Sequence, residues 1–229
     1  MKTSRGFTLV ELLVVMAIIG ILAGMLSTAL ASGKARARRA ACTSNLRQVY
    51  LTVQSFALDH DGDVPLGYRG GRKQWNTMVY SGTSDKFVLY GRLYTEGMLA
   101  EPRILYCPAE RAPEQAFNTA TNPWPPGVSG INVQGGYASA PLVDWGFGDA
   151  PPQWPCIDTL GQVALLADAM GLPERINSRH RDGINVTFTD GSVDWVARAR
   201  FETNLAPCTT ISPAHNAAQD AVWAELDRR

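Results

Sequence analysis

The side chains of this chain of 229 residues that are suited to catalysis are few and far apart. Of its three histidines, we consider His180 as the candidate for pairing with a carboxylate, either Asp168 or Asp190. A histidine beside a carboxylate can serve as a general base. The sequence lacks the G-x-S-x-G, H-E-x-x-H and phosphate-binding glycine motifs of common catalytic sites. We therefore expect no enzymatic activity and no cofactor, and a hydrolase that uses His180 is the hypothesis to exclude.

Four cysteines are the other reactive groups: Cys42, Cys107, Cys156 and Cys208. In an exported protein they form up to two disulfides, with three possible pairings. Their spacings match no zinc pattern such as C-x-x-C. The D-x-D-x-D segment at 59–63 lacks the residue order of a calcium-binding EF-hand. We expect Cys107 to pair with Cys156 or Cys208, Cys42 to stay unpaired, and no metal site to form.

One carboxylate, Glu11, lies inside an apolar run of twenty residues from Phe7 to Leu26. A helix of this length crosses a hydrocarbon core of about 30 Å. A charged group in that core costs roughly 2.5–3.5 kcal/mol. If the chain were cut between Gly6 and Phe7, the new amine of one subunit could neutralise Glu11 of a neighbour staggered by about one turn. Such a pair would set the register between packed helices.

The segment Gly6-Phe7-Thr8-Leu9-Val10-Glu11, preceded by Lys2 and Arg5, resembles the N-terminal signal of type IV pilins and type II secretion pseudopilins. The resemblance implies that prepilin peptidase cuts after Gly6, that the Phe7 amine is methylated, and that Glu11 guides filament assembly. It also implies a single-pass inner-membrane protein whose head lies in the periplasm or on a cell-surface filament. Its partners would be the peptidase, other pilin or pseudopilin subunits, the inner membrane and exported protein substrates.

Three alternatives to this function are open. Ala29-Leu30-Ala31 fits the cleavage site of an ordinary signal peptide, which would be cut before Ser32. An uncut membrane anchor is the second alternative, although it gives Glu11 no role. For an uncut anchor the membrane orientation is also open, because the basic residues after the apolar run outnumber those before it and favour a cytoplasmic C-terminus. The third alternative is an adhesin that binds its ligand through a proline- and aromatic-rich insertion at about 112–155.

The predicted fold class is α+β: one long N-terminal helix packed on a small antiparallel sheet. We divide the chain into a leader at 1–6, a helix at 7–60 and a head at 61–229. The helix would cross the membrane at about 7–30 and be amphipathic at about 31–60, where apolar residues recur at steps of three and four. Lys plus Arg equals Asp plus Glu, so the net charge predicts no nucleic acid partner.

Within the head, two stretches predict regular elements. Asp190-Gly191 separates two alternating runs at 183–189 and 192–196, the pattern of a hairpin with a two-residue turn. That turn would place Phe188 opposite Val193. His180 and Asp190-Gly191 form an H-x9-DG pattern that resembles pilin-like proteins of planctomycete- and verrucomicrobial-type bacteria, and no catalytic role follows from it. Ser212-Pro213 predicts the start of a last helix.

Overall fold

The computed structural model describes residues 8–127 and 130–228, apart from the side chains of Thr28 and Ala31. The predicted cleavage and methylation positions, Gly6 and Phe7, lie outside the described residues. The chain divides into two compact units, Met1–Arg38 and Arg39–Arg229. We describe each unit by itself.

The first helix, α1 (Leu9–Asp59), contributes its residues up to Arg38 to the first unit. The large apolar side chains of that stretch are exposed, with Leu9 at 79% and Ile21 at 63%. Among the described helices, α1 is the one long and apolar enough to cross a membrane, judged by length and composition. Its exposed apolar surface therefore needs a partner or a lipid environment to cover it.

The C-terminal part of α1 belongs to the second unit and buries one face in the head. Its buried residues recur at steps of three and four along the sequence and are Cys42, Leu46, Val49, Val53, Phe56 and Ala57. This spacing puts them on one side of a helix, as predicted. The helix ends at Asp59, where the Gly62 N–H donates to the Ala57 carbonyl at 2.8 Å. Gly62 has a φ of 88°, a conformation that glycine adopts at little cost.

Two antiparallel sheets make up the β part of the head. The smaller has the strand order β2-β1-β3, formed by β1 (Met78–Ser81), β2 (Lys86–Phe87) and β3 (Val133–Gln134). The larger has the order β4-β5-β6-β7, formed by β4 (Tyr137–Ser139), β5 (Ala164–Asp168), β6 (Gly183–Phe188) and β7 (Val193–Ala197). The predicted α+β class is confirmed.

Short helices connect the strands. The α-helices are α2 (Arg92–Thr95), α3 (Pro173–Asn177), α4 (Glu202–Leu205) and α5 (Asn216–Asp227). The 3-10 helices span Lys73–Trp75, Leu89–Gly91, Pro102–Leu105, Ile157–Thr159, Arg198–Arg200 and Pro213–His215. The Ser212 hydroxyl accepts from the Ala214 N–H and caps the turn that leads into α5. Val222 and Leu226 of α5 are buried in one apolar cluster with Phe188 of β6.

The predicted hairpin forms, but its register is shifted by one residue. Thr187, not Phe188, lies opposite Val193, and the connection has three residues, Thr189, Asp190 and Gly191. The Asp190 carboxylate accepts from the Ser192 N–H at 2.9 Å, and Gly191 has a φ of 79°. These two features are typical of a three-residue hairpin connection in which glycine takes the left-handed conformation. The two-residue turn was therefore the wrong choice.

The expected disulfide is also wrong. Cys107 is bonded to Cys42, whose Cα lies 5.3 Å from the Cα of Cys107, while Cys156 and Cys208 are free. Cys42 lies on the buried face of α1, so it can reach a residue 65 positions later in the chain. The disulfide ties α1 to the segment after the 3-10 helix Pro102–Leu105. The insertion likewise departs from a simple loop, because its second half supplies β3 and β4.

Gly136, between β3 and β4, positions Cys107 by close backbone approach. A Cβ on Gly136 would lie 2.3 Å from the Cys107 nitrogen and 2.8 Å from the Tyr106 Cα. We expect Gly136→Ala to lower the free energy of unfolding by about 1–3 kcal/mol, because backbone atoms must move to admit the methyl group. Urea unfolding of the full chain in detergent, followed by tryptophan fluorescence, measures the effect.

Gly148→Ala is the matched control. The nearest atom to a Cβ at Gly148 is 3.6 Å away, an ordinary contact distance, so this variant should unfold like the wild type. Equal unfolding midpoints for the two variants would contradict the account of Gly136.

Candidate functional site

At the start of α1, Thr8 and Glu11 form a reciprocal pair of hydrogen bonds. The Glu11 carboxylate accepts from the Thr8 N–H at 2.8 Å and from the Thr8 hydroxyl at 2.7 Å. The Glu11 N–H in turn donates to the Thr8 hydroxyl at 3.2 Å. This is a capping box, in which each side chain satisfies a backbone group that the helix leaves open. Glu11 thus has a local structural role that the sequence analysis did not foresee.

The capping box leaves the charge of Glu11 without a counterion among residues 8–127 and 130–228. The carboxylate is at the solvent-exposed N-terminal end of α1, surrounded along the helix by exposed apolar side chains. Two hydrogen bonds from one threonine satisfy acceptor sites but supply no positive charge.

In the second unit, four side chains from four different elements meet in the interior. Cys42 comes from α1, Cys107 from the segment after Pro102–Leu105, Asp168 from the end of β5, and His180 from the turn between α3 and β6. One ligand atom of each residue lies within 4.8 Å of every other. The His180 Nε2 is 3.4 Å from the Cys107 Sγ and 3.6 Å from an oxygen of Asp168. We call these four residues the Cys-His-Asp cluster.

Three of the four residues of the Cys-His-Asp cluster are buried, and His180 is partly buried. Cys42 is 0% exposed, and Cys107 and Asp168 are 3% and 1% exposed. One Asp168 oxygen accepts from the Asn185 N–H at 2.7 Å and from the Asn185 side-chain amide at 2.9 Å. Burial raises the pKa of the Asp168 carboxyl, and the nearby His180 partly opposes that shift. Burial lowers the pKa of His180, and Asp168 opposes it in turn.

A buried ion pair lies next to the cluster. The Arg179 guanidinium pairs with Glu110, and both side chains are 1% exposed. Arg179 also donates to the Ala169 carbonyl and to the Gln115 side-chain oxygen, each at 2.7 Å. The pair joins the segment just before the insertion to the residue next to His180. This arrangement holds His180 beside Asp168.

The sequence analysis named two partners for His180, and the fold brings only one of them close. Asp168 is adjacent, whereas Asp190 follows the far end of β6 and bonds to Gln162 and Ser192. The two cysteines beside His180 were missed. No spacing signal could have found them, because Cys42 and Cys107 are distant in sequence and meet only through tertiary packing.

The aromatic residues of the insertion largely pack against the head. The Trp124 ring lies 5.1 Å from Tyr94 and 5.8 Å from Phe87, centroid to centroid. Trp145 is 2% exposed and donates to the Leu66 carbonyl at 3.2 Å. These contacts make most of the rings part of the folded core and its border.

The Arg179–Glu110 pair should be important for the stability of the head. We expect Arg179→Met to lower the free energy of unfolding by about 3–5 kcal/mol, because it leaves the Glu110 carboxylate buried without a counterion. Arg228→Met, which breaks the exposed Arg228–Glu225 pair, is the control and should cost no more than about 1 kcal/mol. Urea unfolding compares the two variants, and similar losses for both would refute this role.

Two comparisons with known proteins found a similarity. Residues 1–27 match the family described as the prokaryotic N-terminal methylation motif. The chain is 40% identical over 58 residues to the type IV major pilin protein PilA of Myxococcus xanthus (strain DK1622). That similarity covers 25% of this chain and 26% of PilA, so the chain spans about a quarter of the length of this relative.

No solved structure matches the chain. The match to the methylation motif and the similarity to PilA show that part of this chain resembles type IV pilins.

Proposed function

We propose that this chain is a structural subunit of a type IV pilus or a type II secretion-like filament. Prepilin peptidase cuts it between Gly6 and Phe7, the Phe7 amine is methylated, and α1 then packs in the filament core. The observation that carries the proposal is the methylation motif at residues 1–27, which continues into the exposed apolar surface of α1. The chain acts mechanically in this role and catalyses no reaction.

The exposed apolar side chains of α1 supply the driving force for assembly. A leucine, isoleucine or valine gains about 1.5–3 kcal/mol when it is fully removed from water. Before assembly the inner membrane covers this surface, and in the filament the helices of neighbouring subunits cover it. The same surface thus accounts for both locations of the subunit.

Glu11 selects the register between neighbouring subunits in this proposal. Its charge has no counterion among the described residues, while its capping bonds to Thr8 satisfy only the helix end. The processed amine of Phe7 in an adjacent subunit supplies the positive charge. A carboxylate buried among apolar helices without that amine is strongly unfavourable, so misaligned subunits are rejected.

The partners in this proposal are the peptidase, the inner membrane and other pilin or pseudopilin subunits. The head lies on the periplasmic side and forms the outer surface of the filament, where exported proteins would meet it. The insertion is a structural part of the head, since its Trp124 packs on Tyr94 and its Trp145 is buried. We assign the insertion no ligand.

A pair of variants separates the charge of Glu11 from its capping role. Glu11→Gln keeps a hydrogen-bonding side chain suited to a capping box but removes the charge. We expect Glu11→Gln to be processed normally and to be reduced about 100-fold in filaments, the factor that corresponds to roughly 3 kcal/mol. Immunoblots of sheared filaments and of membranes measure the ratio.

Thr8→Ala is the matched control, because it removes the capping hydroxyl and keeps the charge. It should enter filaments at close to the wild-type level. Normal incorporation of Glu11→Gln would overturn the charge role. Equal loss of both variants would show that the helix cap, and not the charge, limits assembly.

A further inference from the structure

The Cys-His-Asp cluster has the composition of a metal site once its two sulfurs are reduced. Thiolate, imidazole and carboxylate are the three side-chain groups that bind Zn²⁺, and four such ligands fill a tetrahedral structural site. Cys42 and Cys107 supply two sulfurs, His180 a nitrogen and Asp168 an oxygen, all within 4.8 Å of one another. In the disulfide form the sulfurs are not thiolates, so only two of the four ligands are available.

Hydrogen bonds from Asn185 fix the orientation of the Asp168 carboxylate. One of its oxygens is held by Asn185, through the backbone N–H and the side-chain amide. The other oxygen is buried and accepts no hydrogen bond from any described residue. The oxygen that Asn185 holds is also the one 3.6 Å from the His180 Nε2, so in this site Asn185 would orient the carboxylate as outer-shell partners of metal ligands do.

The geometry of the two cysteines suits both states. Their Cα atoms are 5.3 Å apart, and both residues are buried. Two thiolates at about 2.3 Å from a tetrahedral zinc are roughly 3.8 Å apart. Rotation of the side chains after reduction can reach that separation without moving α1. His180, 3.4 Å from the Cys107 sulfur, is already at the separation of two ligands on one zinc ion.

We propose that the reduced head binds one Zn²⁺ through Cys42, Cys107, His180 and Asp168, so that disulfide and metal are alternative states of one site. A dithiol reductant gives two electrons and two protons to the Cys42–Cys107 bond and is itself oxidised to a disulfide. Zn²⁺ then replaces the two thiol protons, which leave to solvent. The metal takes over the role of the disulfide in joining α1 to the segment around Cys107.

Charge and access are consistent with this site. Two thiolates and one carboxylate around Zn²⁺ carry a net charge of −1, and Arg39 and Arg179 both act electrostatically on Asp168. A surface cavity of about 540 Å³ is lined by Cys107 together with Asn45 and Glu110. This cavity is the side from which a small dithiol and a metal ion would approach Cys107, which is 3% exposed.

Cobalt uptake by the full chain in detergent tests the proposal directly. Co²⁺ replaces Zn²⁺ in tetrahedral thiolate sites and produces a sulfur-to-cobalt charge-transfer absorption. We expect the dithiol-reduced protein to take up one Co²⁺ per chain with this absorption, and Zn²⁺ to displace it. The oxidised protein should show no such absorption. Absence of the band in the reduced protein, or equal bands in both forms, would refute the site.

Matched variants identify the ligands. Cys42→Ser and His180→Ala should each weaken Co²⁺ binding by more than the roughly 10–100-fold that loss of an outer-shell partner costs. Cys156→Ser removes a free, half-buried thiol and should leave binding unchanged. Binding that survives Cys42→Ser and is lost in Cys156→Ser would place the metal elsewhere and overturn the proposal.

A measurement on the wild type keeps the test independent of how the variants fold. X-ray absorption at the zinc edge of the reduced, zinc-loaded protein should report two sulfur and two nitrogen or oxygen ligands. Fewer than two sulfur ligands would contradict the assignment. The result does not depend on filament assembly, so the metal site and the proposed function stand or fall separately.

Discussion

The exposed apolar surface of α1 is the constraint on which the account of this protein depends. From Leu9 to Leu30 the helix presents leucine, isoleucine, valine and methionine side chains that are about half or more exposed. Such a surface is unfavourable in water, so lipid or other helices must cover it. One helix therefore has two environments to satisfy: an apolar one along its first part, and the protein core along the face that begins at Cys42.

The charge of Glu11 is the exception within that apolar surface. Its hydrogen bonds with Thr8 show how the helix end is satisfied while no neighbour is present. They also show that a carboxylate at this position has two separable properties, the acceptor that caps the helix and the charge that needs a counterion. The assembly proposal concerns only the second property, which is why a glutamine and a threonine substitution distinguish the two.

Local patterns in the sequence predicted the elements that depend on local chemistry. The length of α1 follows from its apolar run and its amphipathic continuation, and its end follows from Gly62. Ser212-Pro213 marked the start of the last helical segment. The hairpin was predicted from Asp190-Gly191, although its register was not, because the Asp190 side chain accepts from the Ser192 N–H and lengthens the connection by one residue.

Long-range contacts could not be predicted in the same way. The pairing of Cys42 with Cys107 depends on which face of α1 meets the head, and the convergence of Asp168 and His180 on that disulfide depends on the order of the strands. Neither contact corresponds to a recognisable spacing of residues along the sequence. For Gly6 and Phe7 the situation is the opposite. A short motif in the sequence predicts them as the cleavage and methylation positions, and they lie outside the described residues.

The chemical state of the N-terminus tests the central claim most directly. Mass spectrometry of the terminal peptide, from protein isolated from its own cells, determines which residue comes first and whether its amine is methylated. The account predicts N-methylated Phe7. A terminus at Ser32 would mean a secreted protein without most of α1's apolar surface, and a terminus at Met1 would mean an uncut anchor. Either result would contradict the proposal that this chain is a processed filament subunit.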